Sequence, residues 1–150
     1  MIHNFTKHFT EKKFDYIKIK NKYFEKDERL MSVVNAIKDR SKRSDFPLAI
    51  GKFLGHMNGK KFVPSSILLD KLASKSKRKV VINSDGEWLY ICGRDIFKDN
   101  IQKLQTKEGL VLVQNENDEN LGLGKVTKES KSKIAIKNLL DKGDFLRRER

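Results

Sequence analysis

Short apolar runs recur through the second half of the chain, each about a strand's length: KVVI at 79–82, GLVLV at 109–113, LGLGKV at 121–126 and IAIKNLL at 134–140. Polar stretches separate them, QNENDEN between the second and third and Asp141-Lys142-Gly143 after the fourth. Short strands with turns roughly every 8 to 12 residues describe a compact, mostly β, barrel-like unit. The glycines of LGLG fit a strand against which another backbone or helix packs closely, and no helical pattern follows to complete a dinucleotide fingerprint. By the same reading NSDG is a tight turn joining KVVI to a strand EWLYIC, with Gly86 free to take positive φ. RDIFKDNIQKL sets Ile96, Phe97, Ile101 and Leu104 on a short helix that starts just after Gly93, and DFLRRE reads as a last strand.

The first half is patterned differently. FDYIKIKNKYF alternates Phe14, Tyr16, Lys18 and Lys20 against Ile17 and Ile19 around an Asn-Lys turn, a short hairpin. ERLMSVVNAIKDR places Leu30, Val33, Val34 and Ile37 at helical spacing. FPLAIGKFLG reads as an apolar strand ending in glycine. VPSSILLDKLASKSKRK is a helix with Pro64 at the turn, Ser65 or Ser66 as cap, an apolar stripe of Ile67, Leu68 and Leu72, and a basic C-terminus of Lys75, Lys77, Arg78 and Lys79. The change from helical to short-strand patterning puts the domain junction near residues 74–78, giving domains 1–76 and 77–150.

Lys and Arg number 33 against 20 Asp and Glu, a formal net charge of +13. That excess must face solvent, since burying unpaired ammonium groups is prohibitively costly. A basic surface concentrates polyanions, nucleic acid above all, because binding releases its counterions. A Lys-rich compositional drift would give the same charge, so charge alone does not decide. The single cysteine excludes an intramolecular disulfide framework, and with three His it offers no pair at metal-ligand spacing. No apolar run approaches the ~20 residues of a membrane span, and MIHNFTKHFTEKK lacks the apolar core of a signal peptide; a reducing cytoplasm is the expected home.

Catalytic readings find little support. Cys92 as a nucleophile needs a base, and His3, His8 and His56 all lie in the other half of the chain, so it reads as a small buried residue at the end of a strand. GKK at 59–61 lacks the glycine and the Ser or Thr of a phosphate-binding loop, Leu54 and Lys61 standing there instead. Glu87, Asp95, Asp118 and Glu119 sit mostly in or beside turns, where carboxylates are solvated. No catalytic residue, cofactor or metal is expected.

The basic residues are more informative, being uneven. Residues 114–120 carry only acidic and amide side chains, whereas Lys125, Lys128, Lys131, Lys133 and Lys137 recur along one connection and its flanking strands, and Arg147 and Arg148 close the chain. If Lys125 to Lys133 share a face with Arg94, the patch would follow a phosphate backbone. Trp88, Tyr90 and Phe97 near Gly93 are candidates for stacking on unpaired bases, although aromatics flanking a turn are more often core.

EWLYICGRDIFKDNI, GLVLVQNENDENLGLGKV and IKNLLDKGDFLRRE resemble the PUA domain, an RNA-binding pseudobarrel. The preceding GKFLGHMNGKKFVPSSILLDKLASKSKRKVVI resembles the pre-PUA segment of the NIP-seven family of ribosome-biogenesis factors, which includes archaeal members, and the likeness runs from about Ile50 to Glu149. The resemblance implies an α+β protein: an α/β pre-PUA domain, then a PUA β pseudobarrel with short helices. It implies a non-catalytic RNA-binding adaptor in large-subunit assembly or rRNA processing, cytoplasmic or, in a eukaryote, nucleolar. Its partners would be rRNA, in single-stranded or irregular regions, and assembly proteins docked by the N-terminal domain; no membrane is involved. That family's RNA surface falls on Lys125, Lys128 and Lys131, and PUA domains more broadly add Gly93, Arg94, Lys133, Arg147 and Arg148. Two alternatives stay open: an accessory RNA-recognition subunit of a pseudouridine- or archaeosine-forming enzyme, and a protein-interaction module without specific RNA binding.

Overall fold

The computed structural model describes residues 1–40, 49–127, 133–144 and 147; Lys128, Lys131 and Arg148 lie outside the described residues. The chain divides into two compact units, Met1–Leu68 and Leu69–Arg150.

The first unit opens with the short helix α1 (Ile2–Thr6), then the hairpin β1 (Tyr16–Ile19) and β2 (Lys22–Glu25), helix α2 (Glu28–Arg40), strands β3 (Phe53–Asn58) and β4 (Lys61–Pro64), and helix α3 (Ser66–Ala73), within which the boundary falls. The four strands form an antiparallel meander in sequence order. Lys20 takes the left-handed conformation at the β1–β2 turn. Asp27 caps α2, its carboxylate accepting from Arg29 N–H at 2.9 Å. Val34 of α2 packs on Ile19, Phe24 and Ile50, while Phe62 meets Phe5 and Tyr23 with ring centroids 5.5 Å apart. The strand expected from FPLAIGKFLG starts only at Phe53, where Lys52 and Phe53 can pair with β2; residues 46–48 of that stretch lie outside the described residues. Ser65 caps α3 by accepting from Leu68 N–H at 3.2 Å. The helix stops at Ala73, so Lys77, Arg78 and Lys79 are not its basic end; Lys79 already begins a strand.

The second unit contains β5 (Lys79–Ile82), α4 (Ser84–Ile91), β6 (Ile96–Phe97), a single 3-10 turn at Lys98–Asn100, β7 (Ile101–Leu104), β8 (Gly109–Gln114), β9 (Asn120–Val126) and β10 (Ile134–Asp141). Its six strands lie in the order β6-β10-β9-β8-β5-β7, all neighbours antiparallel except β5 with β8. The two outermost strands, β6 and β7, are separated in sequence only by Lys98–Asn100. Edges joined by so short a link must be brought round toward each other, so the sheet curls into a nearly closed barrel and the fold is α+β with a β pseudobarrel. Inside it, Val80, Ile82, Tyr90, Ile96, Val111, Val113, Leu121, Val126 and Ile136 form one buried core. The glycines of LGLG serve close packing as expected: a Cβ on Gly122 would stand 2.1 Å from the Leu140 carbonyl oxygen of the neighbouring strand.

Three expectations fail here. EWLYIC is not a strand but most of α4. Asn83 caps that helix by accepting from Gly86 N–H at 2.9 Å, Asp85 and Glu87 sit in its first turn where carboxylates favour the helix dipole, and the buried Gly86 and Tyr90 are one turn apart. RDIFKDN does not begin a helix, because Ile96 and Phe97 pair with Ile136 and Ile134 of β10. In DFLRRE, Asp144 and Arg147 are helical rather than extended, Arg147 N–H bonding to the Gly143 carbonyl at 3.1 Å.

Candidate nucleic-acid interface

Strand β10 supplies residues to two places. Near its start, Lys137 stands directly across from Lys125 of β9, and both side chains are exposed. Neither has an ion-pair partner among the described residues. Like charges directly opposite in a sheet repel, so the pair is an electrostatic cost in the protein alone that an anion lying across it removes. Lys125 and Lys137 line an open groove of about 600 Å³ together with Arg78, Glu108 and Thr127. Arg78 forms part of the wall: its Nε donates to the Leu110 carbonyl at 3.2 Å and its Nη2 donates to that of Glu108. Thr127 is held in place by Oγ1 donating toward the Ala135 carbonyl at 2.7 Å. The groove is thus a rigid floor bearing two mobile ammonium groups, an arrangement suited to a phosphate chain rather than to catalysis.

Near its end, β10 organises the turn after α4. Gly93 N–H bonds to the Tyr90 carbonyl at 2.9 Å and Arg94 N–H to that of Leu89 at 3.0 Å, with Gly93 at φ +84°. That paired pattern is the Schellman ending of a helix, and the left-handed residue it requires is normally glycine. Arg94 therefore follows a helix C-terminus instead of opening a helix, so no free N–H groups of a helix start stand beside it. Its side chain is exposed, and no partner for it occurs among the described residues.

A polar network fixes this turn. Asn138 donates from Nδ2 to the Tyr90 carbonyl at 2.9 Å and the Arg94 carbonyl at 3.3 Å, while its own N–H is accepted by Asp95 Oδ1 at 2.8 Å. The bulge where β10 shifts register against β9, between Asn138 and Leu140, aims these groups at the turn. Arg147 grips Asp141 through two bonds of 2.9 Å and donates to the Ile91 carbonyl, which places its guanidinium over Gly93. Hydrogen bonding to Asp141 holds the Arg147 pKa above its ordinary value. The Tyr90 phenol is fully buried and donates to the Leu140 carbonyl at 3.1 Å; burial, then the nearby charges of Asp141 and Asp95, push its pKa well above 10.

Of the residues expected from sequence, the structure brings together Gly93, Arg94 and Arg147 around the turn, and Lys125 with Lys137 on the strands. Lys133 is exposed, and its carbonyl accepts from Lys98 N–H at 3.0 Å, beside β6. Cys92 is exposed at the C-cap of α4, not buried at a strand end. Trp88 is 70% exposed and Phe97 42% exposed, whereas Tyr90 is core. Sequence reasoning missed Asn138, Asp141 and the wall-forming role of Arg78. Glycine after the apolar run WLYIC was a usable signal for the helix end, but no sequence signal marks the network. Among the described residues no helix is long and apolar enough to cross a membrane, and no group of three or more His, Cys, Asp or Glu could hold a metal.

Comparison with known proteins places this geometry. Residues 78–150 match the sequence model of the UPF0113 PUA domain family. A UPF0113 protein of Archaeoglobus fulgidus is 31% identical over 88 residues, covering 53% of this chain and 51% of that protein, so the chain spans about half the length of the curated relative it matches. The solved structure of a conserved PUA domain protein from Thermoplasma acidophilum superposes with a TM-score of 0.54 at 16% identity, covering 85% of this chain and 98% of that one. At that identity the likeness is one of fold. Residues 78–150 are accordingly similar to a PUA domain, a module that in general binds RNA.

Proposed function

We propose that this protein is a non-catalytic RNA-binding adaptor in large-subunit ribosome assembly or rRNA processing, as its resemblance to the NIP-seven family implies. In this reading residues 1–76 form a pre-PUA domain that docks another assembly factor, and residues 77–150 hold RNA. The observation that carries the RNA-binding part is the exposed Lys125–Lys137 pair across β9 and β10, without an ion-pair partner among the described residues and lining a groove in a PUA pseudobarrel. Phosphates crossing that pair supply affinity, and shape or splayed bases supply selectivity. Lys128, Lys131 and Lys133 lie along the chain that joins these two strands and extend the basic stretch in sequence. Arg94 offers a further phosphate contact from the turn ordered by Gly93, while Arg147, committed to Asp141, acts by positioning that turn; Arg148 adds charge at the chain's end.

Crosslinking the protein to RNA in cells and sequencing what is attached tests the assignment. Enrichment of rRNA supports it, and enrichment of tRNA transfers it to an accessory subunit of an RNA-modifying enzyme. In vitro, Lys125→Glu, Lys128→Glu and Lys131→Glu together should abolish binding to single-stranded RNA while the fold persists; unchanged affinity at matched salt overturns the RNA-binding reading itself.

A further inference from the structure

Of the three aromatic residues that the sequence offers for stacking, the fold separates one from the other two. Tyr90 is buried in the barrel core, and its hydroxyl is committed to the Leu140 carbonyl. Trp88 is widely exposed, but the first turn of its helix carries Asp85 and Glu87. Asn115 Nδ2 ties Glu87 to Glu119 of the acidic β8–β9 turn, with bonds of 3.2 and 2.8 Å. That surface repels a phosphate chain.

Phe97 stands in the opposite surroundings. Ile96 and Ile136 face each other across β6 and β10 and are both fully buried, so Phe97 and Lys137, each one residue further along its own strand, point to the outer face. Because the strands are antiparallel, these two side chains stand diagonally across the Ile96–Ile136 rung, about 7–8 Å apart at their roots. Lys125 lies directly opposite Lys137 on the next strand. The ring is thus in series with the lysine pair over three adjacent strands, β6, β10 and β9. Beyond it, Lys98 N–H bonds to the Lys133 carbonyl, and both lysine side chains are exposed. Of the nearby carboxylates, Asp95 accepts from Asn138 N–H and Asp99 is exposed next to Lys98, so the charge around the ring stays positive on balance. A 42% exposed ring among lysines suits a ligand that joins flat apolar faces by anionic links, which is what an unpaired nucleic-acid strand is.

We infer that Phe97 stacks on an unpaired base of the RNA whose phosphates cross Lys125 and Lys137, a reading that rests on the RNA-binding function proposed above. The strand then runs from β9 over β10 to β6, and the diagonal from Lys137 to Phe97 is one that a single nucleotide bridges between its phosphate and its base. The ring selects for strandedness and not for sequence, because every base has a π-face, whereas the bases of an A-form duplex are stacked on one another.

Fluorescence anisotropy of the full chain with labelled oligouridylate, with an abasic oligomer carrying the same phosphates, and with duplex RNA tests this. Phe97→Leu keeps an apolar side chain and removes the π-face. It should weaken oligouridylate binding about 5- to 30-fold, the lower half of the range for one stacked base since the ring is already partly covered, and leave the salt slope, the abasic oligomer and the duplex unchanged. Trp88→Ala should change none of these. Phe97→Trp in a Trp88→Phe background should keep the affinity and have its tryptophan emission quenched by oligouridylate, whereas the parent's Trp88 emission stays constant; this pair carries the test if Phe97→Leu melts lower than the parent. Parent protein that binds no oligouridylate overturns the RNA reading and this inference together. Parent binding that Phe97→Leu leaves intact, even if a protein partner is lost from the variant, overturns this inference alone, as does equal weakening on the abasic oligomer or quenching of Trp88.

Discussion

Replacing Lys125 and Lys137 together by Gln isolates the electrostatic claim from the fold. Each phosphate neutralised on a single strand contributes about 0.7 to the slope of log K against log salt, so losing two contacts should flatten that slope by about 1.4. Carried down from a 1 M reference, the same change weakens binding about 25-fold at 0.1 M salt and about tenfold at 0.2 M. The fold should respond in the opposite sense. The two ammonium groups face each other across β9 and β10 with no counter-ion among the described residues, and relieving that repulsion is worth roughly 0.2–1 kcal/mol. For a chain of this size that raises Tm by about 1–4 °C. Fluorescence anisotropy of a labelled single-stranded RNA across a salt series measures the first quantity, and a thermal melt the second. A slope that does not change, in a variant that melts no lower than the parent, would refute the placement of phosphates across this pair. A lower Tm would refute the claim that the pair is unneutralised.

Tyr90→Phe deletes the buried donor to Leu140 and should cost about 1 kcal/mol, read as a Tm drop of about 2–4 °C. The same residue sets an alkaline limit: its folded pKa lies well above the ordinary 10, so its stabilisation is complete below pH 10 and is lost as pH rises from there toward the folded value. Urea unfolding on either side of pH 10 should therefore show a steeper alkaline decline for the parent than for Tyr90→Phe, and equal slopes would show that the phenol does not contribute. Gly93→Ala forces an L-residue to φ +84° with its Cβ 3.2 Å from the Arg147 guanidinium, and should destabilise by about 1–2 kcal/mol in chemical denaturation. Arg94→Ala should reduce RNA affinity without moving Tm, whereas Arg147→Ala should lower Tm because Asp141, whose side chain is only 4% exposed, loses its partner; the reverse pattern would exchange their assigned roles.

The strands of GLVLV, LGLGKV and IAIKNLL were legible because an apolar run of that length between polar turns has few other ways to bury itself. EWLYIC was not, since six residues of aromatic and aliphatic character satisfy both periods. What decides it is local chemistry at its two ends: Asn83 capping Gly86, and Gly93 closing a Schellman turn. Reading Gly93 as the start of a helix inverted its meaning and misplaced Arg94 with it. Ile96 and Phe97 were illegible for another reason: they are extended because β10, some forty residues on, offers them a ladder. Lys125 could be named from the sequence as basic and close to a turn, but its being opposite Lys137 depends on register, which no local pattern prints.

That register is imposed from inside the barrel, and the charged surface follows from it. Ile136 is fully buried and pairs with both Val126 and Ile96, so Lys137, next along the strand, must point outward. Gly122 lets β10 approach so closely that a single added methyl would strike the Leu140 carbonyl, which locks the far end of the same pairing. Between the two anchors β10 carries one residue more than β9, and the bulge absorbs it. The consequence is that one strand serves two environments with different phases: before the bulge it presents Lys137 beside Lys125, and after it the strand turns Asp141 inward to hold Arg147 over Gly93. A uniform strand could not do both, because with a strict two-residue alternation Lys137, Leu139 and Asp141 would share one face. The exposed lysine and the buried carboxylate therefore depend on the same irregularity, and the bulge, which carries no charge of its own, is what lets the paired lysines and the network that orders the Gly93 turn share a strand.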